Sequence, residues 1–261
     1  MNPSMSQELS ELRVLVTRPI HQAQALADAL DRRGAHSLQL PTIKVSPTEG
    51  TPRDEALEML RGLDEKRYDA TLLTSANATA ALIEAMRHSG AGVAPVNHTT
   101  IFVVGPATAA FAKECGFTPL VLSEEFTGEG VLQRVLTHYG HELSQHRFLF
   151  PRALRGRDHL VKGLREAGAL VDVATLYETT PIQEGPALPS QLHWITFTSP
   201  SAVQGFFNVY SLPHGTSIAC IGPVTAQELE HQGIQPEVVA KEHTIAGLVE
   251  GIVNQVQKSA T

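Results

Sequence analysis

Four short sequence motifs occur along this chain in a fixed order and then occur a second time. Motif A, LVTRP at residues 15–19, returns as LFPRA at 149–153. The other three return in the same order: motif B, LLTSANA at 72–78, as TFTSPSA at 196–202; motif C, VVGPATA at 103–109, as CIGPVTA at 220–226; and motif D, from Pro119 to Gly130, as Pro236 to Gly247. One such match could arise by chance in an apolar sequence, but four in the same order indicate an internal duplication.

Each motif has the pattern of a strand followed by a helix. The strands are short apolar runs such as RVLVT, ATLLT and WITFT, which are typical of parallel strands buried on both faces. The segment after the first run has Ala23, Leu26 and Leu30 at helical spacing. Because the 261 residues suffice for two domains of four or five such strands, we predict an α/β fold with two domains of parallel sheet flanked by helices.

Two extended segments interrupt this pattern. Residues 37–48 and 171–182 are rich in Thr, end near a proline and occupy equivalent places in the two repeats. We interpret them as linker strands between domains rather than as members of the sheets. Residues 183–190, QEGPALPS, are predicted to form a loop.

The composition excludes several classes of protein. Twenty Lys and Arg stand against 27 Asp and Glu, for a net charge of −7, so a non-specific nucleic-acid binder is not expected. No apolar run approaches the roughly 18 residues of a membrane span. The polar first residues and the two cysteines, Cys115 and Cys220, favour a cytoplasmic protein without a disulfide scaffold, and Cys220 is predicted to be a core thiol.

The turns after the strands of motifs B and C carry the most chemical information. Each of TSAN, TSPS, GPAT and GPVT places small polar residues or glycine where a helix begins. Taken singly, such residues are ordinary helix N-caps. Taken together, they lie at the one edge of a parallel sheet where ligands bind, and helix N-termini there bind anions. Two such edges facing each other across a cleft would suit a polyanionic small molecule.

Arginine and tyrosine side chains add to this edge. Arg18 and Arg152 end equivalent strands, and Arg155 and Arg157 follow the second of them. The alternative is that these arginines pair with surface acids. Tyr177 lies in the second extended segment, where it either faces the cleft or is a half-buried strand aromatic.

Several familiar catalytic motifs are absent from the sequence. It contains no GxxxxGK[ST], GxGxxG, GxSxG, HExxH or CxxC pattern. His138, His141 and His146 lie close together in the chain, but their spacing is not a conventional metal-ligand pattern, and a solvated surface is the better interpretation. From the residues alone we therefore expect a cleft for an acidic small molecule, with no metal and no cofactor, and no particular reaction.

Between residues 12 and 255 the sequence resembles the uroporphyrinogen-III synthase family. The resemblance rests on LVTRP, TSANA, FVVGPATA, PRALRGRDHLVKGLREAGALVDVATLYETTP, FTSPSAV and IGPVTAQELEHQG in this order. It implies two flavodoxin-like α/β domains, related by tandem duplication and joined by a two-stranded β linker. It also implies that the first domain is discontinuous, with residues 1–42 plus 180–261, and that residues 43–179 form the second.

The resemblance further implies a reaction. It is the cyclodehydration of the linear tetrapyrrole hydroxymethylbilane to uroporphyrinogen III, with inversion of ring D, by a cytoplasmic, monomeric lyase that needs no cofactor. Tyr177 matches the family tyrosine that assists departure of the hydroxyl. The resemblance also implies which residues contact the substrate carboxylates: Thr17, Arg18, Ser75, Thr108, Ser199 and Thr225. We add Arg152 to this set because it ends the strand equivalent to that of Arg18.

Two other functions stay open at this point. A non-catalytic two-domain binding protein or sensor could use the same anion-lined cleft, because paired α/β domains serve many functions. It would be expected to show a signal peptide or a basic helix-turn-helix, and neither is visible. A sugar- or nucleotide-transferring enzyme is the third candidate, without a phosphate loop or an acidic metal cluster to support it.

Overall fold

The computed structural model describes residues 7–89, 92–121, 128–156 and 158–259. The chain divides into two compact units. Unit 1 comprises Met1–Lys44 and Thr180–Thr261, and unit 2 comprises Val45–Thr179. Arg157 and part of the first copy of motif D lie outside the described residues.

Unit 1 contains a five-stranded parallel sheet. With strands and helices numbered in chain order, its strands are β1 (Arg13–Val16), β2 (His36–Gln39), β9 (Trp194–Phe197), β10 (Ser217–Cys220) and β11 (Val238–Val239), in the spatial order β11-β10-β9-β1-β2. Alternate residues of β1 point to opposite faces: Val14 and Val16 join one buried cluster, and Leu15 joins another. Helices α1 (Ile20–Asp31) and α9 (Ile245–Ser259) contribute to the first cluster, and α7 (Pro200–Val209) and α8 (Pro223–His231) to the second.

Unit 2 is built around a second sheet of six strands. They are β3 (Ile43–Pro47), β4 (Ala70–Leu73), β5 (Thr100–Val103), β6 (Pro119–Val121), β7 (Arg147–Ala153) and β8 (Leu170–Pro181), in the order β3-β8-β7-β4-β5-β6. The strands from β8 to β6 are parallel. One face packs on α2 (Thr51–Asp64), α3 (Ala76–Ser89) and α4 (Gly105–Glu114), and the other on α5 (Gly128–Tyr139) and α6 (His159–Glu166). The predicted parallel α/β fold is confirmed.

The two extended segments contain strands of the sheets, so the prediction that they are not sheet members was wrong, whereas the boundaries between the two units do fall within them. Strand β2 pairs with β1 from Arg13↔His36 to Val16↔Gln39. Strand β8 pairs with β7 from Arg147↔Leu170 onward, and β3 lies on its other side. Their Thr-rich composition suggested segments outside the sheets. A strand with partly exposed side chains can nevertheless belong to a sheet, because pairing satisfies its backbone N–H and C=O groups. Residues 183–190 form the predicted loop.

Both sheets place the strands of the repeated motifs in the same spatial order. In unit 1 the strands of motifs A, B, C and D are β1, β9, β10 and β11, and in unit 2 they are β7, β4, β5 and β6. In each sheet the strand of motif A therefore lies beside that of motif B, although the motifs follow one another differently along the chain. The helices that follow these two neighbouring strands pack on opposite faces of the sheet. Such a point opens a crevice at the carboxyl ends of the strands.

No helix in the described part of the chain is long and apolar enough to cross a membrane.

Candidate active site

Arg18 lies at the crevice of unit 1, directly after β1 and Thr17. Its terminal nitrogen donates a hydrogen bond of 3.0 Å to Gln22 Oε1, while its Nε is buried and has no hydrogen-bond partner among the described residues. None of the ion pairs among the described residues involves Arg18. Burial lowers the pKa of this guanidinium from its ordinary value. An arginine with an unsatisfied donor at a ligand-binding edge is suited to binding an anion.

Ser199 lies on the other side of the same crevice, after β9. Its Oγ accepts a hydrogen bond of 3.2 Å from the Ala202 N–H, so it caps α7. A second hydroxyl, Ser201 Oγ, lies 3.1 Å away. Both serines are half-buried. The ordinary capping role is therefore present, and the pair of hydroxyls also remains accessible beside the first turn of the helix.

Ser75 and Tyr177 come together at the crevice of unit 2. Ser75 Oγ accepts a hydrogen bond of 3.1 Å from Ala78 N–H at the start of α3, and it lies 3.3 Å from the Tyr177 hydroxyl. Tyr177 is only 7% exposed and belongs to the core on the α3 face, so it is more deeply buried than the half-buried strand aromatic considered from the sequence. Burial raises the pKa of Tyr177, opposed by the Ser75 hydrogen bond and the charge of Arg152. The phenol is therefore protonated at neutral pH.

Arg152 lies near the end of β7, in the neighbouring strand. Its side chain is 11% exposed and forms an ion pair with the carboxylate of Asp158, which is itself 80% exposed. The guanidinium carbon lies 5.8 Å from the centre of the Phe150 ring. The alternative expected for these arginines, pairing with a surface acid, thus applies to Arg152. Arg155 is exposed, and Arg157 lies outside the described residues.

The three threonines expected to contact the substrate are buried. Thr17, Thr108 and Thr225 are 0%, 8% and 3% exposed. The Thr17 hydroxyl donates a hydrogen bond of 2.7 Å to the carbonyl of Thr196 in the adjacent strand. In this structure the three side chains are interior groups, buried to a degree similar to that of Tyr177. Their turns had suggested exposure, because small polar residues at strand ends serve surface and interior positions alike.

His243 is a residue at this edge that the sequence did not single out. Its exposed ring packs against Gly222 in the turn between β10 and α8, where a Cβ atom would lie 3.1 Å from the ring. A side chain at residue 222 would therefore require the exposed ring to shift by a few tenths of an ångström. Nothing in the sequence indicates that residues 222 and 243 are neighbours.

One cavity of unit 1 lies away from these turns. It has a volume of about 1000 Å³ in unit 1, along α9 and β11, and includes none of the predicted site residues. One of its arginines, Arg33, is already paired with Glu8 and Glu250 at 3.2 and 3.0 Å. A smaller cavity of about 520 Å³ in unit 2 is lined by Arg152, Lys162 and Arg165. The geometry of the strand ends, and not cavity size, locates the candidate site.

Two of the three clustered histidines, His138 and His146, pack on an aromatic ring. The centroids of their rings lie 4.6 and 4.5 Å from that of Tyr139. Within the residues that the structure describes, no group of three metal-binding side chains forms. The core position predicted for Cys220 is confirmed, since it is fully buried in β10, and burial raises the pKa of its thiol to about 12.

Comparison with known proteins assigns the family. The family model described as uroporphyrinogen-III synthase HemD matches residues 24–250, which is most of the chain. The chain belongs to the uroporphyrinogen-III synthase family. The resemblance noted in the sequence is thereby confirmed, and the match includes residues of both units.

Individual members of the uroporphyrinogen-III synthase family agree over nearly the whole length. A putative uroporphyrinogen-III synthase of Methanothermobacter thermautotrophicus is 27% identical over 250 residues, covering 90% of this chain and 94% of the relative. The uroporphyrinogen-III synthase of Synechococcus elongatus is 28% identical over 253 residues, with 90% and 92% covered.

Solved structures show the same fold at lower identity. A mutant uroporphyrinogen III synthase of Thermus thermophilus is 19% identical with a TM-score of 0.59, covering 95% of this chain and 99% of that one. The uroporphyrinogen-III synthetase of Helicobacter pylori 26695 is 18% identical with a TM-score of 0.60, covering 93% and 99%. At this level of identity, these matches support the fold alone and do not assign roles to individual residues.

Proposed function

We propose that this protein is a uroporphyrinogen-III synthase, a lyase of porphyrin biosynthesis that converts hydroxymethylbilane to uroporphyrinogen III with inversion of ring D. The observation that carries this proposal is the family match over residues 24–250. The polar turns at the carboxyl edge of each sheet support it, because the substrate is a small molecule with eight carboxylates. The alternative of a non-catalytic binding protein is not favoured by the comparisons.

We assign carboxylate binding to the residues at the two crevices. Arg18 in unit 1 has an N–H without a partner among the described residues, and Arg152 in unit 2 would exchange its exposed partner Asp158 for a substrate carboxylate. Ser75 and Ser199 lie at the N-termini of α3 and α7, and helix N-termini attract anions. A net charge of −7 is compatible with an acidic ligand, since oriented amides and two arginines supply the attraction locally.

The buried threonines have a supporting role in this proposal. Thr17 holds the end of β1 against β9 through its hydrogen bond to Thr196. Thr108 and Thr225 lie inside the first turns of α4 and α8, where their burial fixes the position of the turn. These residues would then act on the substrate through the backbone amides that they hold in place.

Tyr177 is the proposed catalytic residue. Its phenolic proton would pass to the terminal hydroxyl of the substrate as the carbon–oxygen bond breaks, releasing water and leaving a cationic azafulvene. The far pyrrole then attacks at its substituted carbon, and the spiro intermediate rearranges. Ring closure releases one proton, which restores the phenol. Holding the flexible linear substrate in the geometry that leads to the spiro intermediate would supply much of the remaining rate enhancement.

We also propose the finer organisation that the resemblance implies. Residues 1–42 plus 180–261 and residues 43–179 would be two flavodoxin-like domains derived by duplication, with β3 and β8 as their two-stranded linker. The shared strand order of the repeated motifs supports this proposal, because it equals the flavodoxin order 2-1-3-4-5 when counted from motif A. The protein would act as a cytoplasmic monomer, without metal, cofactor, nucleic acid or membrane.

Genetic complementation tests the proposed function. The chain is expressed in a bacterium whose own uroporphyrinogen-III synthase gene has been deleted and which grows only with supplied haem. We expect growth without haem, and a Tyr177→Phe variant expressed at the same level should support slower growth. Absence of growth with abundant soluble protein would favour the binding-protein alternative.

A further inference from the structure

The hydroxyl of Tyr177 is held in one place by the packing of its ring. The ring is part of a core cluster with Leu73, Ala78 and Leu176, so the oxygen is the only polar end of a side chain that is 7% exposed. Within the described part of the chain, Ser75 is the hydrogen-bond partner of this oxygen, at 3.3 Å. The distance alone allows either group to be the donor.

The hydrogen bonds around Ser75 leave its hydroxyl proton available for donation. Ser75 Oγ already accepts the Ala78 N–H at 3.1 Å, which uses one of its lone pairs. The Ser75 carbonyl accepts hydrogen bonds from the N–H and the hydroxyl of Thr79, both at 3.1 Å, so the residue is fixed on both sides. Among the described residues, these bonds leave the Ser75 O–H and one Oγ lone pair unused. A Ser75 O–H that donates to the Tyr177 oxygen leaves the phenolic proton available to the substrate.

We propose that Ser75 is a positioning residue whose hydroxyl donates a hydrogen bond to the Tyr177 oxygen and so directs the phenolic proton of Tyr177 toward the leaving hydroxyl of the substrate. This inference rests on the proposed function. It changes the role first expected for Ser75: the serine hydroxyl serves the tyrosine, and a carboxylate at this turn is bound by the backbone N–H groups of α3.

Ser199 provides a matched control in unit 1. It makes the same capping bond, with Ala202 N–H at 3.2 Å, but its hydroxyl lies beside another serine instead of a tyrosine. Ser75→Ala and Ser199→Ala therefore remove equivalent caps. Similar losses of thermal stability in the two variants show that the cap alone does not account for a difference in catalysis.

The kinetic test separates a positioning role from direct binding. We expect Ser75→Ala to lower kcat for the type III isomer on the order of three- to tenfold, the size of one hydrogen bond, with KM nearly unchanged. Ser75→Thr should restore most of the rate. In a Tyr177→Phe background, Ser75→Ala should cause no further loss. A raised KM with unchanged kcat, or equal losses in both backgrounds, would overturn the proposal.

A spectroscopic test does not depend on activity. The protein is labelled with ¹³C at the Cζ of its four tyrosines, and the Tyr177 signal is assigned by its disappearance in Tyr177→Phe. We expect Ser75→Ala to move this signal, Ser75→Thr to restore it and Ser199→Ala to leave it unchanged. An unmoved signal contradicts the hydrogen bond. If the wild type forms no type III isomer while the signal moves, the proposed function fails and the hydrogen bond stands.

Discussion

Arg18 and Arg152 occupy equivalent positions in the repeat but have different surroundings. Arg18 has no carboxylate partner among the described residues and has one buried nitrogen without a hydrogen bond, whereas Arg152 is paired with Asp158. Because an unsatisfied buried donor is costly, a carboxylate that reaches Arg18 gains a hydrogen bond without displacing another anion. At the residue scale, binding is therefore expected to depend strongly on Arg18.

Replacement of Arg18 should weaken substrate binding. We expect Arg18→Gln to raise KM for hydroxymethylbilane on the order of tenfold, the usual effect of losing one charged hydrogen bond. The control is Arg13→Gln, which removes the same charge at the opposite end of β1, where Arg13 donates to the Ser190 carbonyl at 2.9 Å. Steady-state kinetics of both variants provide the measurement. Equal changes in KM would mean that net charge, and not the position of Arg18, is responsible.

Replacement of Tyr177 should lower the rate of type III formation more than replacement of either capping serine. Tyr177→Phe keeps the buried ring and removes the only group at this edge proposed to donate a proton to the leaving oxygen. We expect its rate of type III formation to be lower than that of Ser75→Ala or Ser199→Ala at saturating substrate. Small and equal losses in all three variants would remove Tyr177 from its special role and favour catalysis by orientation alone.

At the element scale, helix α7 approaches the chain closely enough to require a glycine. A Cβ atom on Gly205 would lie 2.0 Å from the carbonyl oxygen of Thr42, and the Thr42 hydroxyl donates a hydrogen bond of 2.9 Å to the Ala202 carbonyl. These contacts hold α7, and with it the Ser199 turn, against the segment between β2 and β3.

Gly205→Ala tests this contact, because helix propensity and packing predict opposite signs. Propensity alone would stabilise the helix by up to about 1 kcal/mol. We expect instead a loss of roughly 1–3 kcal/mol in the free energy of unfolding, since the new methyl group overlaps backbone atoms. Denaturant unfolding measures it, with Gln204→Ala on the exposed side of the same helix as the control. A stabilised Gly205→Ala variant would show that the close approach is absent.

The elements were predictable to different degrees. Apolar runs such as WITFT and the repeated turns predicted the buried parallel strands and their helices, because both signals are local. Strands β2 and β8 were misplaced, since their half-polar composition does not distinguish a sheet member from a free linker. The contact between Ser75 and Tyr177 joins residues 102 positions apart, and no local pattern reports it. The burial of Thr17 was likewise invisible, because it depends on the neighbouring strand.

At the scale of the whole molecule, each unit carries its own version of the same chemical edge. Unit 1 contributes Arg18 and Ser199, and unit 2 contributes Arg152, Ser75 and Tyr177. The duplication predicted from the sequence would account for two sets of proposed anion-binding turns, while the tyrosine and serine pair occurs in unit 2. A substrate with carboxylates along its whole length suits a protein with two such edges.

The most direct test is to identify the isomer that the protein makes. Purified protein is given freshly generated hydroxymethylbilane, the products are oxidised, and the type I and type III isomers are separated by chromatography. Unassisted closure gives type I, so we predict type III formed at an initial rate proportional to protein concentration. Type I alone, formed at the rate seen without protein, would contradict the proposed synthase activity even if the protein bound the linear tetrapyrrole.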